Sequence, residues 1–138
     1  MKKKVAILGS TGSIGKSTLE VIKKDKKNFE ILLLTANNNY KLLIKQAKEF
    51  KVKNVLIKNT KFHLKVENSL KRNKVKVYSG NIPLNKIIKS KIDYTMSAIV
   101  GIAGLQPTID AIKISKIVAI ANKETIICAW EILSKLLK

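Results

Sequence analysis

The sequence contains one cysteine, one histidine and one arginine, and each scarcity excludes a type of site. With Cys128 as the only thiol, the chain can form neither an internal disulfide nor a Cys-x-x-Cys metal cluster. The nine acidic residues are scattered singly, so no converging carboxylates are available for a divalent metal. His63 lies in a weakly helical segment and is expected at the surface. We therefore predict no metal site in this chain.

Long hydrophobic runs are also missing. No apolar stretch approaches the ~18 residues that a membrane span needs. The basic N-terminus, Met-Lys-Lys-Lys, resembles the start of a signal peptide, but the apolar run behind it ends at Gly9 without a cleavage pattern. We expect a soluble, cytoplasmic protein with no membrane partner.

Negative charge is scarce, because the chain has 28 Lys and Arg but 9 Asp and Glu, which gives a net charge of +19. Such a field attracts nucleic acids and phosphorylated ligands alike. Nucleic-acid sites usually use arginine forks and stacked aromatic rings, whereas Arg72 is the only arginine and aromatic residues are few and dispersed. A solvated lysine-rich surface is favoured and no nucleic-acid partner is expected. A basic nucleic-acid-binding module stays an alternative that rests on charge alone.

Short apolar runs recur along the chain, and helically spaced segments follow them. The predicted strands cover residues 5–8, 31–35, 54–57, 75–78, 94–99 and 117–121. This alternation predicts an α/β fold, a Rossmann-like doubly wound and mostly parallel sheet with helices on both faces. The third helix, over residues 61–72, is weaker, and Pro83 begins another short one. We expect a single domain over residues 1–138.

Three helices have predicted apolar stripes that should face the sheet. The predicted stripes are Thr18, Val21 and Ile22 in the first helix, Leu42, Leu43, Ala47 and Phe50 in the second, and Ile126, Trp130, Leu133 and Leu137 in the last. Cys128 and Trp130 are accordingly expected in or near the core.

The stretch GSTGSIG, residues 9–15, lies directly after the first predicted strand, where doubly wound sheets bind phosphate. Gly9 would make the tight turn, Gly12 would let a pyrophosphate approach, and Gly15 would allow close packing of helix on strand. The spacing G-x-x-G-x-x-G differs from the commonest NAD fingerprint, and Ser10 stands where a P-loop needs its first glycine. A tight turn without a ligand is the alternative.

The end of the second predicted strand bears on the choice of dinucleotide. No carboxylate lies between Glu30 and Glu49, so nothing there would bind the ribose 2′-hydroxyl of NAD or repel the 2′-phosphate of NADP. NADP is favoured, with the amides of residues 37–39 and Lys41 as candidates for the phosphate. An ordinary loop and helix cap would explain the asparagines equally well.

Two further segments at strand ends are predicted to be loops on the same edge of the sheet: SAIVGIAGLQPT, residues 97–108, and AIANKET, residues 119–125. Gly101 and Gly104 would let the backbone approach a ligand. Asn122, Lys123 and Glu124 present an amide, an ammonium and a carboxylate together at a helix start.

In this order and spacing, GSTGSIG, SAIVGIAGL and ANKET strongly resemble the N-terminal, NADPH-binding part of the 1-deoxy-D-xylulose 5-phosphate reductoisomerase family, and the resemblance covers the whole chain. It implies an NADPH-dependent oxidoreductase and isomerase of isoprenoid biosynthesis. It also implies roles for individual residues: Thr11, Gly12, Ser13 and Ile14 at the pyrophosphate, Asn37, Asn38 and Asn39 around the 2′-phosphate and its ribose, Asn122 and Glu124 at the cofactor, and Lys123 at the substrate. The family commonly carries glycine and then a basic or small polar residue where this chain has Asn37 and Asn38.

Members of this family continue past the last helix into a strand whose Asp and Glu bind Mg²⁺ or Mn²⁺, then into substrate and C-terminal domains. The resemblance therefore implies a chain that binds NADPH, takes a sugar phosphate as substrate only together with the remaining parts, and does not turn over alone. Family members are usually homodimers whose contacts lie largely outside this segment. Another NADP-dependent reductase, of the aspartate-semialdehyde dehydrogenase type, is the alternative enzyme. It would need a catalytic cysteine at a strand-end loop, whereas Cys128 lies inside the last predicted helix.

Overall fold

Strands and helices alternate along the chain in a computed structural model that describes residues 1–138. The strands are β1 (Lys3–Leu8), β2 (Phe29–Ala36), β3 (Asn54–Ile57), β4 (Lys76–Ser79), β5 (Ile92–Ser97) and β6 (Ser115–Ile120). The helices are α1 (Ser13–Lys23), α2 (Tyr40–Phe50), α3 (His63–Leu70), α4 (Leu84–Ile87), α5 (Leu105–Ile114) and α6 (Lys123–Leu136). The predicted third helix is α3 extended by short 3₁₀ turns, Thr60–Phe62 before it and Lys71–Asn73 after it.

All six strands form one parallel sheet in the order β4-β3-β2-β1-β5-β6. The chain winds outwards from β1 to β4, then crosses to the other side of β1 for β5 and β6. Strand order therefore reverses between β1 and β5, which stay paired to their last residues, Leu8 and Ser97. In doubly wound sheets the connections that leave two such strands run to opposite faces, and a crevice forms beyond the carboxyl ends. The predicted Rossmann-like fold is confirmed.

Alternate residues of β1 face opposite sides of the sheet, and each side has its own apolar core. Val5 and Ile7 belong to a cluster that also takes in α1, α2 and α3. Ala6 and Leu8 belong to a second cluster with residues of α4 and α5. Because residues 5–8 of β1 are buried, the carboxyl end of this strand lies between the two cores, and the turn that follows is built on one of the two central strands of the sheet.

The predicted apolar stripe of α1 is only partly correct. The helix buries Gly15, Leu19 and Ile22, while Val21 is 65% exposed. The reason is that Gly15, in the first turn of α1, packs closely against the backbone of Gly9 and Ser10. This contact sets the rotation of the helix and brings Leu19 rather than Val21 onto the sheet. In α2 the buried residues are Leu43, Gln46 and Ala47, so a polar side chain lies inside the predicted stripe.

The prediction that Cys128 and Trp130 lie in or near the core is wrong. Both are exposed, Trp130 by 57%, and α6 buries Thr125, Ala129 and Leu133 instead. The helix has apolar residues around most of its circumference, and Ala129 has non-helical angles (φ −131°, ψ 17°) that interrupt its period. It packs against α5 and β6, which leaves its outer face uncovered.

The prediction of loops over 97–108 and 119–125 is also only partly correct. Helix α5 begins at Leu105, so the last residues of the first segment form a helical turn. Pro107 is tolerated there because the N–H groups of the first helical turn have no acceptor within the helix, so a residue without an N–H loses no hydrogen bond. The second segment includes the end of β6 and the start of α6. None of the helices combines the length and the hydropathy that a membrane crossing requires.

Candidate functional site

A cavity of about 870 Å³ opens at the carboxyl ends of the strands, over the crevice between β1 and β5. Gly9, Thr11 and Gly12 line it after β1, and residues 80–84, 98–100 and 102–103 line its other walls. Only two of its lining residues are charged, Lys58 and Asp110. Its volume lies within the range of small-molecule and cofactor sites, and its position is where open α/β sheets bind their ligands.

The three glycines of the first turn lack side chains for different reasons. Gly9 has φ +81°, and a Cβ there would lie 2.9 Å from the carbonyl oxygen of Ala98. A Cβ at Gly15 would overlap the backbone of Gly9 and Ser10. Gly12 has ordinary angles (φ −78°, ψ 173°), and a Cβ there would meet only the Gly9 oxygen, at 3.6 Å. The fold therefore requires Gly9 and Gly15 but does not require Gly12, whose exposed surface is left open for a ligand.

The start of α1 presents free hydrogen-bond donors beside Gly12. Gly12 is the N-cap residue and supplies no side-chain cap, and the first helical hydrogen bond runs from the Lys16 N–H to the Gly12 oxygen at 2.9 Å. The N–H groups of Ser13 and Ile14 have no acceptor within the chain. Unpaired N–H groups at the positive end of a helix dipole form an anion site. The turn therefore presents the donors that an anion needs, and the pyrophosphate contacts expected from GSTGSIG stay a prediction.

A buried polar network holds the turn in place. The Gly9 N–H donates to Thr35 Oγ1 at 2.9 Å, and the Ser10 hydroxyl donates to Gln46 Oε1 at 2.8 Å. Gln46 Nε2 in turn donates to the Ser10 carbonyl oxygen at 3.0 Å. Ser10, Thr35 and Gln46 are all buried, so these bonds are shielded from water. Sequence reasoning missed Thr35 and Gln46. Two features of the sequence could have indicated them: Thr35 is a polar residue in an otherwise apolar strand, and Gln46 is a polar residue on the apolar face of an amphipathic helix.

The three asparagines after β2 have different surroundings. The Asn37 side chain makes no hydrogen bond within the chain, and the residue lines the cavity. Asn38 Oδ1 accepts from Asn59 Nδ2 at 2.8 Å, and Asn39 caps α2 by accepting from the Leu42 N–H at 3.2 Å. Lys41, the predicted candidate cation, is not among the lining residues, whereas Lys58, which sequence reasoning did not single out, is.

The residues at the start of α6 form a support beside the cavity. Asn122 is buried, and its Oδ1 accepts from the N–H groups of Glu124 (2.9 Å) and Thr125 (3.3 Å). Its Nδ2 donates to the carbonyl oxygens of Ile99 and Gly101, the latter at 2.6 Å. The side chain thus joins the loop after β5 to the start of α6 and has no free position on its amide. Lys123 is exposed and Glu124 is half-buried.

Only part of the predicted set lines the cavity. Thr11, Gly12 and Asn37 do so, and the predicted residues outside its lining are Ser13, Ile14, Asn38, Asn39, Asn122, Lys123 and Glu124. His63 is half-buried and faces Glu67 on α3, with 3.1 Å between its Nε2 and the carboxylate. Cys128 lies on the exposed face of α6, outside the cavity lining, which disfavours a cysteine-dependent dehydrogenase.

The carboxyl groups with shifted pKa values lie away from the cavity. A hydrogen bond from Lys116 Nζ and a second from the Lys4 N–H, each 2.8 Å long, lower the pKa of Asp93 at the start of β5. A hydrogen bond between Lys23 and Glu49 joins α1 to α2, lowering the pKa of Glu49 and raising that of Lys23. The structure contains no cluster of three or more His, Cys, Asp and Glu side chains that could bind a metal.

The chain matches the family described as 1-deoxy-D-xylulose 5-phosphate reductoisomerase over residues 5–130. It is 56% identical to the reductoisomerase of Pelagibacter ubique and 46% identical to that of Phocaeicola vulgatus, over 99% of this chain and 36% of each relative.

Solved structures of the same enzyme also match. The reductoisomerase from Zymomonas mobilis in complex with NADPH superposes with a TM-score of 0.93 at 34% identity, over 99% of this chain and 36% of that one. A structure in complex with NADPH, fosmidomycin and magnesium has a TM-score of 0.88 at 30% identity, over 97% of this chain and 33% of that one. The chain thus spans about a third of the length of the relatives it matches, and over that span it belongs to the 1-deoxy-D-xylulose 5-phosphate reductoisomerase family.

Proposed function

We propose that this chain is the NADPH-binding domain of a 1-deoxy-D-xylulose 5-phosphate reductoisomerase. That enzyme isomerises and reduces its substrate to 2-C-methyl-D-erythritol 4-phosphate in non-mevalonate isoprenoid biosynthesis. The observation that carries the proposal is the open surface at Gly12, which the fold does not require and which lies beside the unpaired N–H groups of Ser13 and Ile14. Related structures that contain NADPH support the same ligand.

The residues of the first turn bind the pyrophosphate in this proposal. The N–H groups of Ser13 and Ile14 donate to its oxygens, and Thr11 adds a hydroxyl from the cavity wall. Bound NADPH supplies the hydride for the reduction. Asn37, which lines the cavity at the end of β2, would then hold the adenosine end, and the residues after β5 and at the start of α6 would hold the nicotinamide end.

The residues 122–124 position the reacting end. Because the Asn122 amide is fully engaged within the chain, we assign it a positioning role, holding the loop at Ile99 and Gly101 against α6. Glu124 then contacts the cofactor, and the exposed Lys123 ammonium reaches the phosphate or hydroxyl groups of the substrate.

The divalent metal of the family does not fit the residues of this chain, because no cluster of suitable ligands exists. We therefore assign metal binding, most of the substrate site and the homodimer contacts to the parts of the enzyme beyond this span. The location of the enzyme in the cytoplasm stays a prediction.

Isothermal titration of the folded chain with NADPH at low salt tests the first half of this proposal. One NADPH should bind per chain, and the Gly12→Ala variant should bind more weakly. A sample with native circular dichroism that binds no NADPH at high ligand concentration would contradict the proposal.

The second half is that the chain alone does not turn over. NADPH oxidation should stay at background when the chain is mixed with 1-deoxy-D-xylulose 5-phosphate and Mg²⁺. Measurable formation of 2-C-methyl-D-erythritol 4-phosphate by the purified 138-residue chain would refute it.

A further inference from the structure

The adenosine end of the site lacks a cation at the place where one is expected. NADP carries a 2′-phosphate that NAD lacks, and charge-assisted hydrogen bonds to such a group are about twice as strong as neutral ones. After β2 the chain offers only three asparagines. Asn39 is used as a helix cap and Asn38 Oδ1 is used by Asn59, so Asn37 alone has a side chain free of hydrogen bonds within the chain.

The next strand supplies the missing charge. Lys58 follows β3 as Asn37 follows β2, and the two strands are parallel neighbours. The Lys58 N–H donates to the Ala36 oxygen at 2.8 Å, and the Asn59 N–H donates to the Asn37 oxygen at 3.0 Å. A third hydrogen bond, from Asn59 Nδ2 to Asn38 Oδ1, also links the ends of the two strands. The backbone of Lys58 is therefore fixed beside that of Asn37.

The side chain of Lys58 is also free to bind an anion. The residue is exposed, lines the cavity, and takes part in none of the four ion pairs of the chain. It is the only cationic residue in the cavity lining. The other charged lining residue, Asp110, lies on α5, which packs in the half of the molecule that contains β5 and β6.

We propose that Lys58 is the residue that selects NADPH over NADH, binding the 2′-phosphate together with the Asn37 amide. The cation comes from the end of β3, whereas the resemblance places a basic or small polar residue after the second strand, where this chain has Asn38. This inference rests on the proposed function, since it needs the adenosine of NADPH to lie at the end of β2.

Binding of paired ligands to the Lys58→Met variant tests the assignment. Adenosine 2′,5′-bisphosphate and adenosine 5′-monophosphate differ only in the 2′-phosphate, as NADPH and NADH do. The variant should bind both 2′-phosphorylated ligands about tenfold more weakly or worse, while affinity for the other two stays near that of the original chain. Lys58→Arg should retain most of the preference.

Lys61→Met is the matched control, because Lys61 is an exposed lysine three residues further on that does not line the cavity and its loss changes the net charge equally. It should leave all four affinities unchanged. An unchanged preference in Lys58→Met, or a loss of preference in Lys41→Met instead, would overturn the assignment while the proposed function stands. Failure of the original chain to bind NADPH and NADH alike would refute the proposed function, and this inference with it.

Discussion

At the scale of single residues, Gly12 and Gly15 should respond in opposite ways to an added methyl group. In Gly12→Ala the new Cβ meets only ordinary contact, at 3.6 Å from the Gly9 oxygen, and the backbone angles suit alanine. This variant should keep its melting temperature within a few degrees but bind NADPH at least about tenfold more weakly, because the methyl group occupies the pyrophosphate position. Isothermal titration and thermal denaturation give the two readouts.

Gly15→Ala is the counterpart, because its Cβ overlaps the backbone of Gly9 and Ser10. It should lose about 1–3 kcal/mol of unfolding free energy through overpacking. Equal destabilisation by the two substitutions would show that Gly12 serves the fold rather than a ligand.

The residues of the site differ in how far the sequence could reveal them. The glycine turn is local, so its spacing and its place after β1 were sufficient to predict it. Thr35, Gln46 and Lys58 act through pairing between segments that are distant in the chain, and no local pattern records which strand ends become neighbours. Asn122 shows a related limit, since its position was predicted but its engagement with Ile99 and Gly101 depends on the packing of α6.

At the scale of elements, Asn122 should behave unlike an ordinary helix cap. Aspartate normally caps a helix as well as asparagine does, and alanine costs about 1 kcal/mol. In Asn122→Asp the carboxylate would keep the cap of α6 but face the carbonyl oxygens of Ile99 and Gly101 without a hydrogen to donate. We expect it to destabilise the chain at least as much as Asn122→Ala does, by urea denaturation. The usual ranking, with aspartate tolerated, would contradict the role of Asn122 as a link between the loop after β5 and the start of α6.

Asp93 fastens β5 to both neighbouring strands and should make stability fall in acid. The bonds from Lys116 and the Lys4 N–H depress its pKa in the folded chain, so its contribution is present above the unfolded pKa of about 3.9 and is lost as the pH falls through the lower folded pKa. In Asp93→Asn the unfolding free energy should decline less steeply below about pH 4. Urea denaturation across this range measures the slope.

Asp25→Asn is the control for this pH dependence, because Asp25 has no lysine at ion-pair distance and accepts hydrogen bonds only from the uncharged amide of Asn28, within its own turn. Its acid slope should follow that of the original chain. An acid slope in Asp93→Asn identical to that of the original chain would show that the linkage between the strands does not depend on the charge of Asp93.

The strands were easier to predict than the helix faces. A strand buried on both sides is a short apolar run, and β3 was predicted at the bounds that the structure gives it. Helix α6 has isoleucine, leucine or tryptophan on most of its sides, so its hydrophobic period does not identify the face that is buried. The break at Ala129 and the packing on α5 decide that face, and both depend on the folded structure.

At the scale of the whole molecule, the 28 Lys and Arg outnumber the 9 Asp and Glu, so the chain has a net charge of +19 whichever of them form ion pairs. Duplex DNA should therefore bind at low salt through counterion release alone. Raising the salt from about 50 mM to about 200 mM should weaken DNA binding by roughly a thousandfold but NADPH binding by less than tenfold, because NADPH carries few charges. Fluorescence anisotropy with DNAs of unrelated sequence measures the first quantity, and titration measures the second. Sequence-selective DNA binding that persists at the higher salt would favour the nucleic-acid-binding alternative.

The position of Trp130 on α6 has a practical use. It is the only tryptophan of the chain, so tryptophan emission reports a single point on α6. That emission overlaps the absorption band of a reduced nicotinamide and not that of an oxidised one. Bound NADPH would thus quench Trp130 by resonance energy transfer, whereas bound NADP⁺ would not. Since the efficiency of transfer falls steeply with separation, quenching of Trp130 in the unlabelled chain would measure the distance from its indole to the nicotinamide ring.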